Sequence, residues 1–425
     1  MFIFERSKYQ MNLNSILKYV FKWSLLTIFI GVFSGFASGL FLLSLEFVTN
    51  LREANKWIIW LLPFGGLFIG FSYYFYGKEV AKGNNLILEE YSNPQKYIPF
   101  KMAPLVLLGT LITHLFGGSA GREGTAVQMA ATIADQFTKW FALDDQDRKI
   151  ILITGISAGF ASVFGTPLAG AIFAIEVLFF SKINYKSIFP SFLVAYIAYF
   201  MVEFLPVHHT HYTISFVPSI SIQNLFWAFL VGIPFGLSAM LFSKSTHWWG
   251  KIFSRYIVFP PLRPFLGGII IAVAVFMIGT TKFIGLGITT IVESFEIQQL
   301  VYVFLVKILF TGFTLGAGFK GGEVTPLFFI GATLGSFLSF YIPLPTALLA
   351  GMGFVAVFSG ATQTPFACTV MGMELFGIEC GLFIAIACLT SYLFSGTIGI
   401  YSAQVIGGFK GNMYKKLKKS SFENL

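Results

Sequence analysis

Charge is scarce in this chain. Only 11% of its 425 residues are Asp, Glu, Lys or Arg, against roughly 25% in an ordinary soluble domain. With a mean hydropathy of +0.77 and 56% apolar residues, that deficit excludes a large soluble core and makes the bilayer the solvent. Cysteine is nearly absent too. Cys368, Cys380 and Cys388 are odd in number and lack metal-ligand spacing, so neither a disulfide framework nor a zinc site is expected. They read as small buried hydrophobes. No cleavable signal peptide is read at the start, where Glu5, Arg6, Lys8, Gln10 and Asn12 interrupt the apolar residues. No nucleophile–base or paired-metal-ligand spacing suggests an intramembrane enzyme. No soluble module suggests a receptor or scaffold. No metal or cofactor is expected.

The net charge of +9 does not argue for nucleic acid, because much of it lies near the ends: Arg6, Lys8, Lys18 and Lys22, then Lys415, Lys416, Lys418 and Lys419. By the positive-inside tendency both termini are expected in the cytoplasm. The basic tail reads first as a solubilising segment and second as a surface for anionic lipid headgroups.

Phenylalanine and glycine are abundant, at 52 and 43 residues. The first long apolar run, 23–48, carries Gly31, Gly35 and Gly39; glycines four apart line one helical face and permit close helix–helix approach. Many later runs are too short or too broken to span alone, since a span needs ~20 apolar residues. Short, interrupted segments in corresponding halves point to discontinuous helices that meet at mid-membrane.

The halves do correspond. Gly159–Phe164 resembles Gly353–Phe358, Thr166-Pro167 resembles Thr364-Pro365, and each proline is followed by a lone acid, Glu176 or Glu374. Gly232 and Gly236 echo Gly31 and Gly35. The expected organisation is therefore an N-terminal segment 1–22, a first half 23–205, a loop 206–222, a second half 223–408 and a tail 409–425. Whether the halves are parallel or inverted is not written in the pattern.

Glu123, in Gly117-Gly118-Ser119-Ala120-Gly121-Arg122-Glu123-Gly124-Thr125, recurs in matching register as Glu323 of Gly321-Gly322-Glu323-Val324-Thr325-Pro326. Acids at membrane depth are costly and face paths or bundle interiors. Glycine-rich runs that open half-helices leave free N–H groups and a positive dipole end, which together favour an anion. The 117–125, 316–326 and Lys82-Gly83-Asn84-Asn85-Leu86 runs all fit. A carboxylate at such a site competes with the anion, and protonating it removes the competition. Glu123 is thus a candidate gate and proton carrier; the plainer alternative is a glutamate capping its own helix beside Arg122.

Three stretches closely resemble the CLC family of chloride channels and anion/proton antiporters: Gly121-Arg122-Glu123-Gly124, Thr166-Pro167-Leu168-Ala169-Gly170 leading to Glu176, and Gly399-Ile400-Tyr401-Ser402. The resemblance covers about 23–410. It implies an all-α polytopic membrane protein with the CLC-type inverted-repeat fold of tilted, broken helices. It also implies a homodimer with one anion pathway per subunit, Glu123 as the external gate and Tyr401 as an anion contact.

The departures from that family carry the substrate. Gly83-Asn84-Asn85-Leu86-Ile87 stands for the usual Gly-Ser-Gly-Ile-Pro, so Asn84 replaces the anion-coordinating serine. Thr125 replaces a proline, Gly322-Glu323-Val324-Thr325-Pro326 replaces Gly-x-Phe-x-Pro, and Val177 replaces the internal proton glutamate. Together these are similar to the fluoride/proton antiporter branch. Fluoride is small and strongly hydrated, so it needs close donors; Asn84 offers an amide and Thr325 a hydroxyl. Thr325 also reads as a helix cap. Glu323 then becomes the second titratable group, or a structural acid at a helix start.

The sequence reading is a fluoride/proton antiporter exporting cytoplasmic fluoride from a bacterial plasma membrane. Glu123 and Glu323 carry gating and protons, while Gly83, Asn84, Arg122, Gly124, Val324, Thr325 and Tyr401 line the anion site. The alternative is a chloride-selective CLC channel or chloride/proton antiporter. Glu176 and Glu374 read as helix-end or interface acids, His208, His209 and His211 as a hydrated loop before a metal site, and His114 as a hydrogen-bonded core residue.

Overall fold

The computed structural model describes residues 13–178, 184–404 and 410–411. Arg6, Lys8 and the four lysines of the basic tail lie outside the described residues, as do residues 405–409. Sixteen α-helices form, eight per half, among the described residues. The first half contains α1 (Leu13–Ala54), α2 (Leu62–Phe75), α3 (Asn84–Ser92), α4 (Met102–Leu115), α5 (Glu123–Trp140), α6 (Asp145–Phe164), α7 (Pro167–Val177) and α8 (Ile188–Glu203). The second contains α9 (Ile222–Tyr256), α10 (Leu262–Ile278), α11 (Ile288–Glu296), α12 (Val301–Gly316), α13 (Val324–Leu338), α14 (Thr346–Thr362), α15 (Pro365–Phe376) and α16 (Gly381–Phe394). The spans Leu13–Ala54, Lys56–Phe75, Tyr185–Glu203 and Ile222–Tyr256 are long and apolar enough to cross a bilayer. The shorter apolar helices are the broken pieces expected of a mid-membrane site.

Local chemistry sets the breaks. Asp144 caps α6 by accepting from the Asp147 N–H at 2.8 Å. Gly165, left-handed at φ 71°, ends α6, and Pro167 opens α7 at once. In the second half Gln363 takes the left-handed position at φ 61°. Its side chain is held there by hydrogen bonds to the Gly360 carbonyl at 2.6 Å and the Ser395 hydroxyl at 3.1 Å.

Each half repeats one packing scheme. α5 lies on α6 as α13 lies on α14, and α1 runs along α8 as α9 runs along α16. Gly31 and Gly35 admit Ile197 and Ala198 of α8, and Gly232 and Gly236 admit Thr390 and Ser391 of α16. The halves meet through α2 on α10 and α7 on α15. At the second contact Glu176 accepts from the Phe366 and Ala367 N–H groups at 3.1 and 2.7 Å, capping α15. Glu374 does the same for α7 through Leu168 and Ala169, at 2.9 and 2.7 Å. These are interface acids, each a carboxylate on the partner half's helix dipole.

The repeat is inverted. Lys22 near the start of α1 pairs with Asp147 at the start of α6, and Arg148 beside it reaches Glu90 of α3. On that same side His247, late in α9, bonds the Gly399 carbonyl at 2.9 Å, and the loop after Gly399 bonds α3. The beginning of α1 and the later part of α9 therefore share a face, so the two equivalent helices run in opposite directions.

The structure corrects two details of the repeat. α5 begins at Glu123 and α13 at Val324, and Gly121 pairs with Gly322. The register is thus one residue longer than the glutamate echo implies, and Glu323 is the counterpart of Arg122. Similarly the caps Gly165 and Gln363 align Phe160 with Phe358, one helical turn away from the Gly159–Gly353 match. The resemblance of glycine-rich apolar strings was close enough to slide by a turn.

Arg148, 3% exposed, clamps α3 to this frame. It donates to Asp135 at 2.8 and 2.9 Å, to Glu90 at 3.0 Å and to the Lys96 carbonyl at 2.7 Å. Removing one partner leaves buried carboxylates uncompensated, so Arg148→Met should cost about 3–5 kcal/mol. A thermal-unfolding midpoint in detergent equal to wild type would contradict this.

Candidate functional site

The site is built where three helix N-termini converge. The loops before α5 and α13 are tied by a two-bond bridge: the Gly121 N–H donates to the Gly322 carbonyl at 2.6 Å and the Gly322 N–H to the Gly121 carbonyl at 2.7 Å. A Cβ on Gly322 would lie 2.8 Å from the Gly124 nitrogen, and one on Gly124 would lie 3.0 Å from Asn84 Nδ2. Only glycine permits that approach, and it brings the α3, α5 and α13 starts together. Ser119 anchors the first loop to α12 through Thr311 at 2.8 Å. Thr125 bonds Thr110 of α4 at 2.7 Å, a tie that a proline there would not make.

Glu123 is 1% exposed and its carboxylate sits at the α13 N-terminus. Oε2 accepts from the Thr325 N–H at 3.0 Å and the Arg122 N–H at 3.1 Å. Oε1 accepts from the Thr325 hydroxyl at 2.5 Å, while Arg122 Nε lies 3.7 Å away. Charge-assisted hydrogen bonds of this length are strong. The carboxylate thus lies on donors of the α13 N-terminus, and the bond from the Arg122 N–H ties it to the start of its own helix.

Asn84 opens α3 behind Gly83, which has φ 57°. Asn84 Oδ1 is buried without a partner. A cavity of about 210 Å³ is walled by Gly83, Asn84, Gln128, Glu323 and Tyr401, together with Tyr73 and Lys320. Tyr401 is held by its loop: the Ala403 N–H donates to Asn85 Oδ1 at 2.9 Å and the Ile400 N–H to the Ala361 carbonyl at 3.0 Å. Val324 is buried at 3% exposure and contributes an apolar side chain.

One turn beyond Thr325, Phe328 stacks on Phe354 with centroids 3.9 Å apart and meets Phe164 at 5.3 Å. Phe160 extends the slab to Phe164 and Phe173, at 4.5 and 4.4 Å. Tyr212, from the loop joining the halves, closes edge-on against Phe354 at 5.1 Å. Ring edges carry the positive end of the aromatic quadrupole.

The sequence reading thus names two groups that the fold separates: Glu123, Arg122, Gly124 and Thr325 at the bridge, and Gly83, Asn84, Glu323 and Tyr401 around the cavity. Asn84 touches both. His114 is buried, with a ring nitrogen 3.4 Å from the Gly121 carbonyl. His209 packs on Gly165, 3.8 Å from Glu203, and no metal-binding cluster occurs among the described residues. Lys320, Tyr73 and Gln128 were missed. For Lys320 the signal was present, a cation immediately before the Gly321-Gly322 pair in an apolar stretch.

Residues 65–396 match the family profile described as voltage gated chloride channel. The chain belongs to the CLC family. A chloride/fluoride channel protein of Pseudomonas syringae pv. tomato is 50% identical over 401 residues, covering 93% of this chain and 89% of that protein. Among solved structures, a CLC-type fluoride/proton antiporter superposes with TM-score 0.88 at 33% identity, covering 91% of this chain and 98% of the other. A slow cyanobacterial Cl⁻/H⁺ antiporter shares the CLC fold with TM-score 0.77 at 19% identity.

Proposed function

We propose that this CLC protein exports fluoride from the cytoplasm in exchange for inward-moving protons. The observation that carries the reading is the Thr325 hydroxyl 2.5 Å from the Glu123 carboxylate. The Thr325 hydroxyl and N–H each hold one oxygen of the carboxylate, and a carboxylate oxygen stands where fluoride would. Deprotonated Glu123 excludes the anion; protonated, it leaves the α13 N-terminus and carries its proton. Asn84, Thr325 and Tyr401 then contact the anion, with the N–H groups of Gly124 and Val324 and the Arg122 N–H that Glu123 releases around it, and Gly83 lets α3 approach. Glu323, on the cavity wall, passes protons between Glu123 and the cytoplasm, the task that Val177 cannot perform.

The cavity mouth faces the cytoplasm. Lys22, Lys139, Lys149 and Lys251 lie toward the ends of α1, α5, α6 and α9, and the positive-inside tendency assigns those ends to the cytoplasm. The protein works as a homodimer in a bacterial plasma membrane, with both termini inside and lipid around its apolar faces.

Proteoliposomes loaded with fluoride or chloride and followed with ion-selective and pH electrodes test this. Fluoride efflux with proton uptake is expected, and chloride efflux slower by about tenfold or more, the discrimination that close donors provide. Comparable rates for both anions would favour the chloride-type alternative. Fluoride movement without protons would make the protein a channel.

A further inference from the structure

The cavity contains a cation that the transport scheme leaves idle. Two lysines wall it, Lys82 and Lys320. Lys82 is exposed and paired with Glu89 at 2.7 Å. Lys320 has no carboxylate partner among the described residues; its ammonium lies 4.1 Å from the centre of the Tyr73 ring, which walls the same cavity. The fold makes room for this placement. A Cβ on Gly109 of α4 would come within 2.9 Å of Lys320 Cβ and 3.0 Å of Cγ, so glycine there lets the aliphatic stem pass. A cation–π seat fixes an ammonium without neutralising it. Asn84 walls the same cavity and has an amide N–H₂ to offer an anion. At the bridge the closest donors to the carboxylate are the uncharged Thr325 hydroxyl and the Thr325 and Arg122 N–H groups.

We propose that Lys320 is the fixed positive charge that recruits fluoride from the cytoplasm into the inner cavity, handing it to Asn84 and Tyr401 on the way to Thr325. A buried cation in a low-dielectric cleft raises the local anion concentration, and here it does so with Glu323 on the same wall. Lys320 acts on entry and stays out of the proton path, because Glu123 and Glu323 carry the protons. The inference rests on the fluoride-export reading and concerns affinity at the inner face.

The test varies internal fluoride at constant ionic strength in proteoliposomes and reads the half-saturating concentration and the protons moved per fluoride. Lys320→Met keeps the stem beside Gly109 and removes the charge. Its half-saturating concentration should rise about tenfold or more with coupling unchanged, while Lys320→Arg should stay within about threefold of wild type, since charge and the ring seat persist. Unchanged concentration dependence in Lys320→Met would overturn the proposal. So would equal impairment of the Met and Arg variants, which would make the role geometric. If Lys320→Met yields no monodisperse protein, Lys320→Gln takes its place with the same expectations. Failure of the export reading shows separately, as wild-type protein that moves no fluoride or moves chloride equally well.

Discussion

Glu123→Gln is expected to abolish proton movement while fluoride continues to cross. The carboxylate now takes three hydrogen bonds at the α13 N-terminus, from the Thr325 N–H, the Thr325 hydroxyl and the Arg122 N–H. A fluoride roughly 4 Å from that charge would be repelled by about 4 kcal/mol at an effective dielectric of 20, close to a thousandfold in occupancy. Glutamine removes the charge, cannot be protonated in this range and offers one acceptor where two stood. It therefore mimics the protonated gate permanently. Electrode traces should show fluoride efflux that no longer responds to an imposed pH gradient, with proton uptake at background. A proton-to-fluoride ratio equal to wild type would remove Glu123 from the mechanism and leave it as the cap of its own helix. Loss of both fluxes with intact folding would mean that the carboxylate is also needed to hold the α5–α13 bridge open to the anion.

That expectation was largely legible in the sequence, because glycine, glutamate and threonine at helix starts have local causes. The half-helix openings at Glu123, Val324 and Asn84 follow from glycine-rich runs that end apolar segments. Glu176 and Glu374 were visible as two acids at matching distance from two prolines and read as helix-end or interface acids, while the capping of the other half's helix by each appears only in the fold. Other features were hidden for physical reasons. α11 (Ile288–Glu296) is short and amphipathic, so it leaves no apolar run. α1 starts at Leu13, ahead of the apolar run, in a segment whose Asn14, Ser15, Lys18 and Lys22 look like a cytoplasmic leader. Inversion of the halves is a matter of direction, which residue identity does not encode. The pairing of Gly121 with Gly322 depends on backbone hydrogen bonds, and these place Arg122, not Glu123, in register with Glu323. Lys320 was overlooked because its neighbours Gly321, Gly322 and Glu323 drew the reading to the helix start.

The second large effect is expected far from the anion, at the crossing of α13 and α14. A Cβ on Gly331 would lie 2.0 Å from the Gly353 carbonyl oxygen, and one on Gly353 would lie 2.1 Å from the Gly331 carbonyl oxygen. Both obstacles are backbone, so no rotamer change relieves them. Gly331→Ala must widen the crossing by about 1 Å, and overpacking of a tight interior typically costs about 1–3 kcal/mol, more when only backbone can yield. A drop in thermal midpoint and in monodisperse yield is expected, well beyond that of Gly250→Ala in α9, where a Cβ meets nothing within 4 Å. The displacement also travels. α13 runs unbroken from Val324 to Leu338, so a shift at Gly331 is expected to move the hydroxyl that holds Glu123 at 2.5 Å. A misplacement of about 1 Å at a positioning group can cost on the order of a hundredfold in rate. Folded Gly331→Ala protein should thus transport fluoride far more slowly than wild type. Wild-type stability together with wild-type flux would show that the two helices tolerate a wider crossing, and that the Thr325–Glu123 contact does not depend on it.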